Sequence, residues 1–439
     1  MMRSAVAMTS DVLAFPVSAK DALARSAIRK NSLRLLPILT LALIFNFIDR
    51  SNVGFAALTM NSSLGLSATD FGLGAGVLSI GYCLFEVPSS LALYRFGARR
   101  WLARIMITWG LAAAATGLAT GATSFNVYRF VLGVAEAGFF PGVTYFLAVW
   151  FPARYRTQAL GWLCVGVPVS SLISAPISGL LLQLDGLLGL AGWQWMFIIE
   201  GLPLCLIGVA TLYLLVDHPE DATWLTAEER NALLAMLANE TRENVQKDLW
   251  AAFRDVRVLM LTGITFSFTV GAYGVGIWLP LILKGHGLSN LNVGFISAIP
   301  YLITTVVMLA WMRLVERTGK KIFNLAAACF LAAFALSASV FFGQLVLSLA
   351  AVSLALIGAI TARTIFWTIP VGFLSGPAAA GGLAFINSVG ATGGFVGPFM
   401  MGWLKDTTGG FQAGMLAMSA ILLCATVLSL SLKFFIKQE

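Results

Sequence analysis

Charged residues are scarce in this sequence. Asp, Glu, Lys and Arg make up 11% of the 439 residues, whereas soluble proteins contain about 25%. A soluble chain of this length would need polar faces on each of its domains, and these charges are too few to provide them. With 59% hydrophobic residues, the chain is also too apolar for a disordered protein. The composition therefore predicts a polytopic membrane protein.

Histidine and cysteine are scarce as well, with two and five residues. His218 and His286 fall in predicted loops, so the predicted spans contain neither a Ser/His dyad nor histidine metal ligands. The cysteines lie apart within apolar segments, which excludes a metal-binding cluster and a disulfide scaffold of the secreted type. We therefore expect a protein that is not an enzyme and that has no metal or other cofactor.

Long apolar runs dominate the rest of the sequence. A membrane-crossing helix needs about 20 mostly apolar residues, and twelve such runs end at charged or turn residues. The alternating strands of a β-barrel are not seen. The predicted spans are 33–58, 71–94, 100–121, 125–150, 157–183, 193–216, 257–283, 291–315, 321–343, 347–371, 379–404 and 411–436. The predicted fold class is thus an all-α membrane protein with twelve transmembrane helices.

The basic residues predict the orientation of these spans. The 28 Lys and Arg exceed the 20 Asp and Glu, for a net charge of +8, which in a soluble protein would suggest nucleic acid. Here nearly all of them fall in the two termini and in alternate loops, while the opposite side has only Lys284 and Lys405. Basic loops stay in the cytoplasm. We therefore expect cytoplasmic termini, a lipid bilayer as partner and no nucleic acid.

A polar stretch, 217–254, divides the chain in two. Within it, Thr226 followed by Glu229 predicts a capping box at the beginning of an amphipathic helix. The interpretation is a cytoplasmic linker between two bundles of six helices. The predicted units are a cytoplasmic tail (1–32), an N-terminal bundle (33–216), the linker (217–256) and a C-terminal bundle (257–436).

The two halves share a short motif. Arg95-x-Gly97 follows the second span and Arg317-x-Gly319 follows the eighth, at equivalent positions of the two halves. Glycine permits a tight turn, and basic residues beside it can pair with the carbonyl ends of helices. Such weak internal symmetry is typical of transporters built from parallel repeats.

Four longer segments are similar to a known family. They are FIDRSNVGFAAL at 47–58, YRFVLGVAEAGFFPGVTYFLAVWFPARYR at 128–156, GWQWMFIIEGLP at 192–203 and GFLSGPAAAGGLAFINSVGATGGFVGP at 372–398. Together with six plus six spans, they resemble the anion:cation symporters of the major facilitator superfamily, which include tartrate, phthalate and sugar-acid transporters. The resemblance covers nearly the whole chain.

Seven charged residues fall inside the predicted spans. A charge at the middle of a bilayer costs roughly 2.5–3.5 kcal/mol on insertion scales, so these side chains must pair with each other, line a watery cavity or lie near an interface. They are therefore the candidates for function. The seven are Asp49, Arg50, Glu86, Arg129, Glu136, Glu200 and Arg363.

Asp49 and Arg50 lie past the middle of the first span. Asn46 and Asn52 lie three residues to either side of Asp49 and extend a polar stripe along one face. Two interpretations remain open: a static ion pair that fixes helix packing, or a carboxylate that takes up and releases a proton beside a cation. The resemblance implies the second, with Asp49 in proton coupling and Arg50 organising the bound anion.

Arg129 and Glu136 lie seven residues apart on the fourth span, which places them on one helix face. Glu136 is in mid-span and cannot extend to water. Arg129 is close to the outer end, where it could snorkel to the interface. The resemblance implies that Glu136 carries a proton and that Arg129 binds or couples to the anion, since the planar guanidinium can donate two parallel hydrogen bonds to a carboxylate.

Further candidates for the substrate site are Tyr82, Arg363, Trp367 and Asn387. Tyr82 can bond to substrate or make an interhelical hydrogen bond. Arg363, which the family usually lacks, can snorkel to the cytoplasm or contact the second carboxylate of a dianion. Trp367 is one turn further and can wall the cavity, and Asn387 matches a cavity position in the family. Glu86 is interpreted as pairing with the basic loop between spans 2 and 3, and Glu200 as a packing or gating residue.

The sequence thus predicts proton-coupled uptake of a small organic carboxylate, such as tartrate or a sugar acid, by alternating access in the inner membrane. We expect a monomer. One alternative is an exporter or antiporter of organic anions or drugs, although the G-P-x-x-x-G-P-x-x-G-G pattern of antiporters is missing from GVPVSSLISAPISG at 166–179. Another is a transporter-like membrane sensor, which would have little use for a proton site.

Overall fold

The computed structural model describes residues 19–164, 166–238, 255–370 and 376–435. Within these ranges the regular structure is helical. The first half contains α1 Ala19–Leu64, α2 Ala68–Phe96, α3 Ala98–Thr116, α4 Ala122–Glu136, α5 Phe139–Trp150, α6 Ala153–Cys164, α7 Gly166–Leu181 and α8 Gly192–Leu214. After the linker helix α9, Ala227–Ala238, follow α10 Val256–Lys284, α11 Asn290–Thr318, α12 Lys321–Ser339, α13 Leu345–Phe366, α14 Gly376–Ala391, α15 Gly393–Thr408 and α16 Gln412–Leu432.

These helices build the twelve predicted spans. Within the described ranges, nine segments are long and apolar enough to cross a membrane. The other three predicted spans are α3, which has Arg99, Arg100 and Arg104 near its beginning, and two pairs of shorter helices, α6 with α7 and α14 with α15. The predicted fold class, an all-α twelve-helix membrane protein, is confirmed.

The fourth span differs from the single helix predicted over 125–150. It is broken between α4 and α5, where Ala137 is extended (φ −56°, ψ 135°) and Gly138 has a φ of +83°. A Cβ on Gly138 would lie 2.3 Å from the Ser89 hydroxyl oxygen, so only glycine fits this turn. The break places the carboxylate of Glu136 at the very end of α4.

The first helix begins earlier than predicted, at Ala19 instead of residue 33. Its cytoplasmic end packs on the linker, where Glu229 accepts hydrogen bonds from the Ser26 hydroxyl (2.7 Å) and the Lys30 ammonium (2.8 Å). The predicted capping box is also present, since Glu229 N donates to the Thr226 hydroxyl (3.2 Å) and Thr226 N donates to the Glu229 carboxylate (3.0 Å). These bonds hold the beginning of α1 and the linker together.

The R-x-G turns also form as predicted. Gly97 has a φ of +85° and Gly319 a φ of +67°. After the first turn, Arg99 Nε donates to the Leu212 carbonyl (2.6 Å), near the end of α8. This is the expected pairing of a basic residue with the carbonyl end of a helix.

The two halves meet closely at the outer side. A Cβ on Gly54 of α1 would lie 2.4 Å from the Ile277 carbonyl of α10, and one on Gly72 of α2 would lie 2.5 Å from the Pro398 carbonyl of α15. Small residues allow this backbone approach. In addition, Asp406 of α15 accepts hydrogen bonds at the beginning of α2. The molecule is therefore closed on its outer face.

The packing of apolar side chains shows the same asymmetry. The core of the second half is continuous with residues at the outer ends of the first, such as Val53, Phe71 and Phe125. The inner part of the first half has a core of its own, around Leu39, Trp109 and Phe146. The halves are thus joined outside and separately packed toward the cytoplasm.

Candidate functional site

An ion pair joins α1 and α4 of the first half. Arg50 Nε donates to Glu136 Oε1 (2.8 Å), and Arg50 Nη2 contacts the same oxygen. Asn46 Nδ2 also donates to this oxygen (2.7 Å). Glu136 is fully buried, and its second oxygen, Oε2, has no hydrogen-bond partner among the described residues. The carboxylate is therefore held at one oxygen only.

Arg50 also faces the second half. Its Nη1 donates to the Tyr273 hydroxyl on α10 (3.0 Å), and its guanidinium lies 5.1 Å from the centre of the Tyr82 ring on α2. The Arg50 side chain is 20% exposed, while Glu136 behind it is inaccessible. Arg50 is thus a partly exposed cation at the interface between the two halves. Tyr273 was missed by sequence reasoning, because an isolated tyrosine in a Gly-rich span gives no signal.

Asp49 points away from this interface, into the first half. Trp109 Nε1 donates to its Oδ2 (2.6 Å) and Asn52 Nδ2 to its Oδ1 (3.3 Å). The carboxylate is 1% exposed. Although Asp49 and Arg50 are adjacent in sequence, Arg50 pairs with Glu136, and Asp49 is bonded to two neutral groups. The static Asp49–Arg50 ion pair left open by the sequence is therefore not the arrangement found.

Arg129 does not snorkel, since it is 1% exposed. Its Nε and Nη1 have no hydrogen-bond partner in the described part of the chain. The guanidinium lies close enough to Asp49 and Glu136 to attract both electrostatically. A buried guanidinium with unpaired donors is costly.

Glu200 of α8 joins the same polar cluster. Asn52 Nδ2 donates to Glu200 Oε2 (2.8 Å), and the Ser178 hydroxyl donates to Glu200 Oε1 (3.1 Å). Asn52 therefore bridges the carboxylates of Asp49 and Glu200. The sequence predicts a packing or gating role for Glu200. It does not predict the connection to Asp49, because the position of Glu200 inside a span is the only indication in the sequence.

Arg363 of α13 lies on the opposite side of the interface. Its guanidinium is 6.0 Å from the centre of the Phe47 ring on α1, and Phe47 is one turn before Arg50. Arg363 is exposed and lies close enough to Tyr273 to interact with it electrostatically. Trp367, just after α13, is half-buried with its ring edge on Phe366 (5.3 Å between centres).

Asn387 of α14 contacts the first half. Its Nδ2 is 3.4 Å from Glu86 Oε1 on α2, one turn after Tyr82, and Glu86 Oε2 is buried without a hydrogen-bond partner among the described residues. The expected pairing of Glu86 with the basic loop after span 2 is therefore not found. The Glu86 carboxyl group instead contacts Asn387 across the interface between the halves. Glu86 is therefore added to the candidate site.

The cluster has two chemical parts. At the interface between the halves lie polar groups that can bond to an anion or a hydroxyl. Arg50, Tyr273, Asn387 and Arg363 are at least partly exposed, whereas Tyr82 and Glu86 are buried. Behind them, inside the first half, lie buried carboxyl groups linked to Arg50 and Arg129. Arg50 connects the two parts, since it bonds both to the buried Glu136 and to Tyr273 of the other half.

Sequence comparison adds relatives of similar length. The chain is 46% identical over 407 residues to a protein named "Putative tartrate transporter" from Agrobacterium vitis, covering 92% of this chain and 91% of the relative. It is 40% identical to the "Quinolone resistance transporter" of Acinetobacter baumannii, covering 92% and 94%. It is 35% identical to the "Inner membrane transport protein RhmT" of Escherichia coli, covering 94% and 96%.

Solved structures share the fold. A bacterial homologue of the human lysosomal transporter Spinster, in an inward-facing and occupied conformation, has a TM-score of 0.76 at 18% identity and covers 92% of this chain and 97% of that chain. The D-xylose–proton symporter has a TM-score of 0.71 at 16% identity and covers 92% and 98%. At these identities the likeness is one of fold alone.

The twelve-helix fold, with charged side chains buried between its helices, defines a multi-pass membrane transporter of small molecules. The sequence profile of the Major Facilitator Superfamily matches residues 39–398, and the chain belongs to this family. The family resemblance noted from the sequence motifs is thereby confirmed.

Proposed function

We propose that this protein imports a small organic carboxylate, such as tartrate or a sugar acid, together with protons. The observation that carries the proposal is the position of Arg50. Its guanidinium bonds to the buried Glu136 on one side (Nε–Oε1 2.8 Å) and reaches the Tyr273 hydroxyl of the other half on the other side (3.0 Å). A carboxylate bound at the interface competes with Glu136 for the same donors.

The proposed substrate site lies between the two halves. Arg50 and Arg363 provide one cation from each half, which suits a dianion. Tyr82, Asn387 and Trp367 complete the walls. Glu86 contributes a carboxyl oxygen without a partner among the described residues, and such an oxygen can accept a hydrogen bond from a substrate hydroxyl but repels a carboxylate. This combination favours a hydroxylated acid over a plain dicarboxylate.

Proton coupling follows from the competition for Arg50. When the substrate carboxylate takes the donors of Arg50, Glu136 loses its counter-ion in a fully buried position. An unpaired buried carboxylate is costly and takes up a proton instead. Asp49 and Arg129 form the second part of this system, in which the guanidinium attracts both carboxylates. We propose that Asp49 and Glu136 carry the protons and that Arg50 and Arg129 couple them to the anion.

The membrane potential opposes the entry of an anion, and co-transport of protons offsets this cost. A negative interior repels an entering anion by about 2.3 kcal/mol per charge for each 100 mV. Entry of more protons than negative charges reverses this cost. We therefore propose that the two halves rock around the site as a monomer in the inner membrane, opening the outer face in one state and closing it in the other.

Uptake into proteoliposomes tests the proposal. Purified protein is reconstituted with a neutral interior and diluted into acidic buffer containing labelled tartrate, galactonate, phthalate or succinate. We expect uptake of at least one hydroxylated acid above that of empty vesicles, and its abolition by a protonophore. Uptake that is equal with and without the protonophore would refute proton coupling, and no uptake of any acid would refute the substrate class.

Export is a second candidate function, favoured by the 40% identity to the "Quinolone resistance transporter". An exporter of this fold would exchange a proton for a drug. The same vesicles distinguish the two functions, because a proton-coupled exporter accumulates a fluoroquinolone when the interior is acidic, whereas an importer of carboxylates responds to an acidic exterior. We favour uptake, since Arg50 and Arg363 suit an anion at the interface.

A further inference from the structure

Glu200 and Asp49 form a pair of buried carboxyl groups that the transport scheme above does not explain. Glu200 is 4% exposed and Asp49 is 1% exposed. One amide nitrogen, Asn52 Nδ2, lies 2.8 Å from Glu200 Oε2 and 3.3 Å from Asp49 Oδ1. Two ionised carboxylates on one bridging amide repel each other in a low-dielectric interior.

The charges of the buried cluster do not balance. Apart from Glu86, which contacts Asn387 at the interface between the halves, it contains three carboxyl groups, those of Asp49, Glu136 and Glu200, and two guanidinium groups, those of the buried Arg129 and the partly exposed Arg50. With every group ionised, the interior of the first half would hold an excess negative charge, which is costly to bury. One proton on one of the three carboxyl groups makes the cluster neutral.

Hydrogen bonds indicate which carboxyl holds this proton. Glu136 accepts from Arg50 and Asn46 at a single oxygen, which stabilises its ionised form. Asp49 accepts from Trp109 (2.6 Å) and lies near Arg129. Glu200, like Asp49, bonds only to neutral groups, Asn52 and Ser178, but within the described ranges no guanidinium lies beside it as Arg129 does beside Asp49. The Ser178 hydroxyl, 3.1 Å from Glu200 Oε1, can accept a hydrogen bond when this carboxyl is protonated.

Among the described residues, the helices packed against α8 bring one charged group close to Glu200, the Asp49 carboxyl. From α1 comes Asp49, from α3 the Trp109 indole and from α7 the Ser178 hydroxyl. The charged groups further away are Arg129 and Glu136 on α4 and Arg50 on α1. Glu200 therefore senses the ionisation of Asp49 first, and through Asp49 that of Arg129 and Glu136.

We propose, on the basis of the proton coupling proposed above, that Glu200 is a further proton-binding residue and that Glu200 and Asp49 bind protons as a pair. In the conformation closed on the outside, the pair holds one proton, which resides on Glu200 and leaves Asp49 ionised beside Arg129. When Arg129 turns to a substrate carboxylate, Asp49 loses its counter-ion and the pair takes up a second proton.

Infrared difference spectroscopy of the purified protein tests the pair without any transport assay. At neutral pH we expect a C=O stretch of a protonated carboxyl in the wild type and its loss in Glu200→Gln, which keeps both hydrogen bonds because an amide can accept from Asn52 and donate to Ser178. Asp49→Asn also balances the cluster, so the same band should disappear there. Glu220→Gln, on the cytoplasmic loop, is the matched control and should retain it.

Transport then gives a second, separate readout. We expect the proton-to-substrate ratio, measured as a reversal potential in proteoliposomes, to stay the same in Glu200→Gln, because Asp49 still takes up one proton, and to fall by one proton in the Asp49→Asn/Glu200→Gln double variant. An unchanged infrared band in Glu200→Gln would show that Glu200 is only structural. If the wild type itself shows no proton-driven uptake, the proposed function fails, while the infrared band still decides whether the pair binds a proton.

Discussion

At the scale of single residues, the site depends on arginines that serve two anions. The Arg50 guanidinium holds Glu136 and faces the interface between the halves, and in the proposed mechanism a bound carboxylate competes with Glu136 for it. Arg129 is buried with free donors. In the proposed mechanism, this sharing lets the binding of substrate change the protonation of a group that the substrate does not touch.

The Arg50→Lys variant tests whether the guanidinium of Arg50 binds the substrate carboxylate. Lysine keeps the positive charge but loses the parallel pair of donors, and a hydrogen bond to a charged group is worth about 1.5–3 kcal/mol. We expect the Kd for tartrate, measured by isothermal titration calorimetry, to rise roughly 10- to 100-fold. Affinity within twofold of the wild type would contradict a carboxylate contact at Arg50.

Arg363→Ala tests the second cation. Arg363 is exposed at the interface, where an ion pair is worth up to about 1 kcal/mol. We expect the KM for dianions such as tartrate to rise about fivefold, with little change for monoanions such as galactonate. Arg363→Lys is the matched control and should retain most of the dianion preference. Unchanged uptake of every dianion would refute this contact.

The charged residues of the site could be predicted from the sequence because charges are rare inside spans. Asp49, Arg50, Arg129 and Glu136 do lie together in the structure, although their roles remain predictions. Their partners could not be predicted. The pairing of Arg50 with Glu136 and the bridge from Asn52 to Glu200 join helices far apart in the chain, and no local spacing encodes them.

At the scale of helices, the end of α15 caps the beginning of α2. Asp406 accepts hydrogen bonds from Ala68 N (3.2 Å), Thr69 N (2.7 Å) and the Thr69 hydroxyl (2.6 Å). Burial raises the pKa of Asp406, but the bonds from Thr69 and Ala68 outweigh it and lower the pKa below its usual value. The carboxylate of this cap is therefore ionised at neutral pH. It joins the two halves in the closed state.

Asp406→Ala should open the outer face. Loss of a helix cap costs about 0.5–2 kcal/mol, and 1–2 kcal/mol shifts a two-state equilibrium about 5- to 30-fold. We expect longer distances between spin labels at Ser62 and Thr407, measured by double electron–electron resonance in a cysteine-free background. Asp185→Ala removes a cap within the first half (Gly192 N to Asp185 Oδ1, 2.9 Å) and should leave these distances unchanged. An equal effect of both variants would contradict the proposed role of Asp406.

The cytoplasmic linker gives a pH-dependent prediction. Hydrogen bonds from Lys30, Ser26 and Thr226 lower the pKa of Glu229 to about 2, from 4.5. A carboxyl group whose pKa is lower in the folded state stabilises the protein at pH values above its unfolded-state pKa. This stabilisation is lost as the pH falls through the folded-state pKa. We expect Glu229→Gln to lower the Tm at pH 7 and the difference to shrink as the pH falls from 4.5 toward 2. Glu228→Gln, on the exposed face of α9, is the control and should leave the Tm unchanged both at pH 7 and at acidic pH.

At the scale of the whole molecule, the sequence predicts the twelve spans because the length of an apolar run is a property of a whole segment. It predicts cytoplasmic termini because the basic residues concentrate in the termini and alternate loops. It does not predict which conformation is adopted. The closure of the outer face depends on contacts such as Gly54 with Ile277 and Gly72 with Pro398, and these join residues from different halves. The break after Glu136 likewise depends on the fit of Gly138 against Ser89.

The central claim is that carboxylate and protons move inward together. The most direct test loads a pH-sensitive dye into proteoliposomes at equal internal and external pH and adds labelled tartrate outside. We predict acidification of the lumen in step with entry of the label, and neither signal in Glu136→Gln vesicles under the same tartrate gradient. Entry of tartrate without acidification would contradict symport, and alkalinisation of the lumen would indicate exchange in the opposite sense.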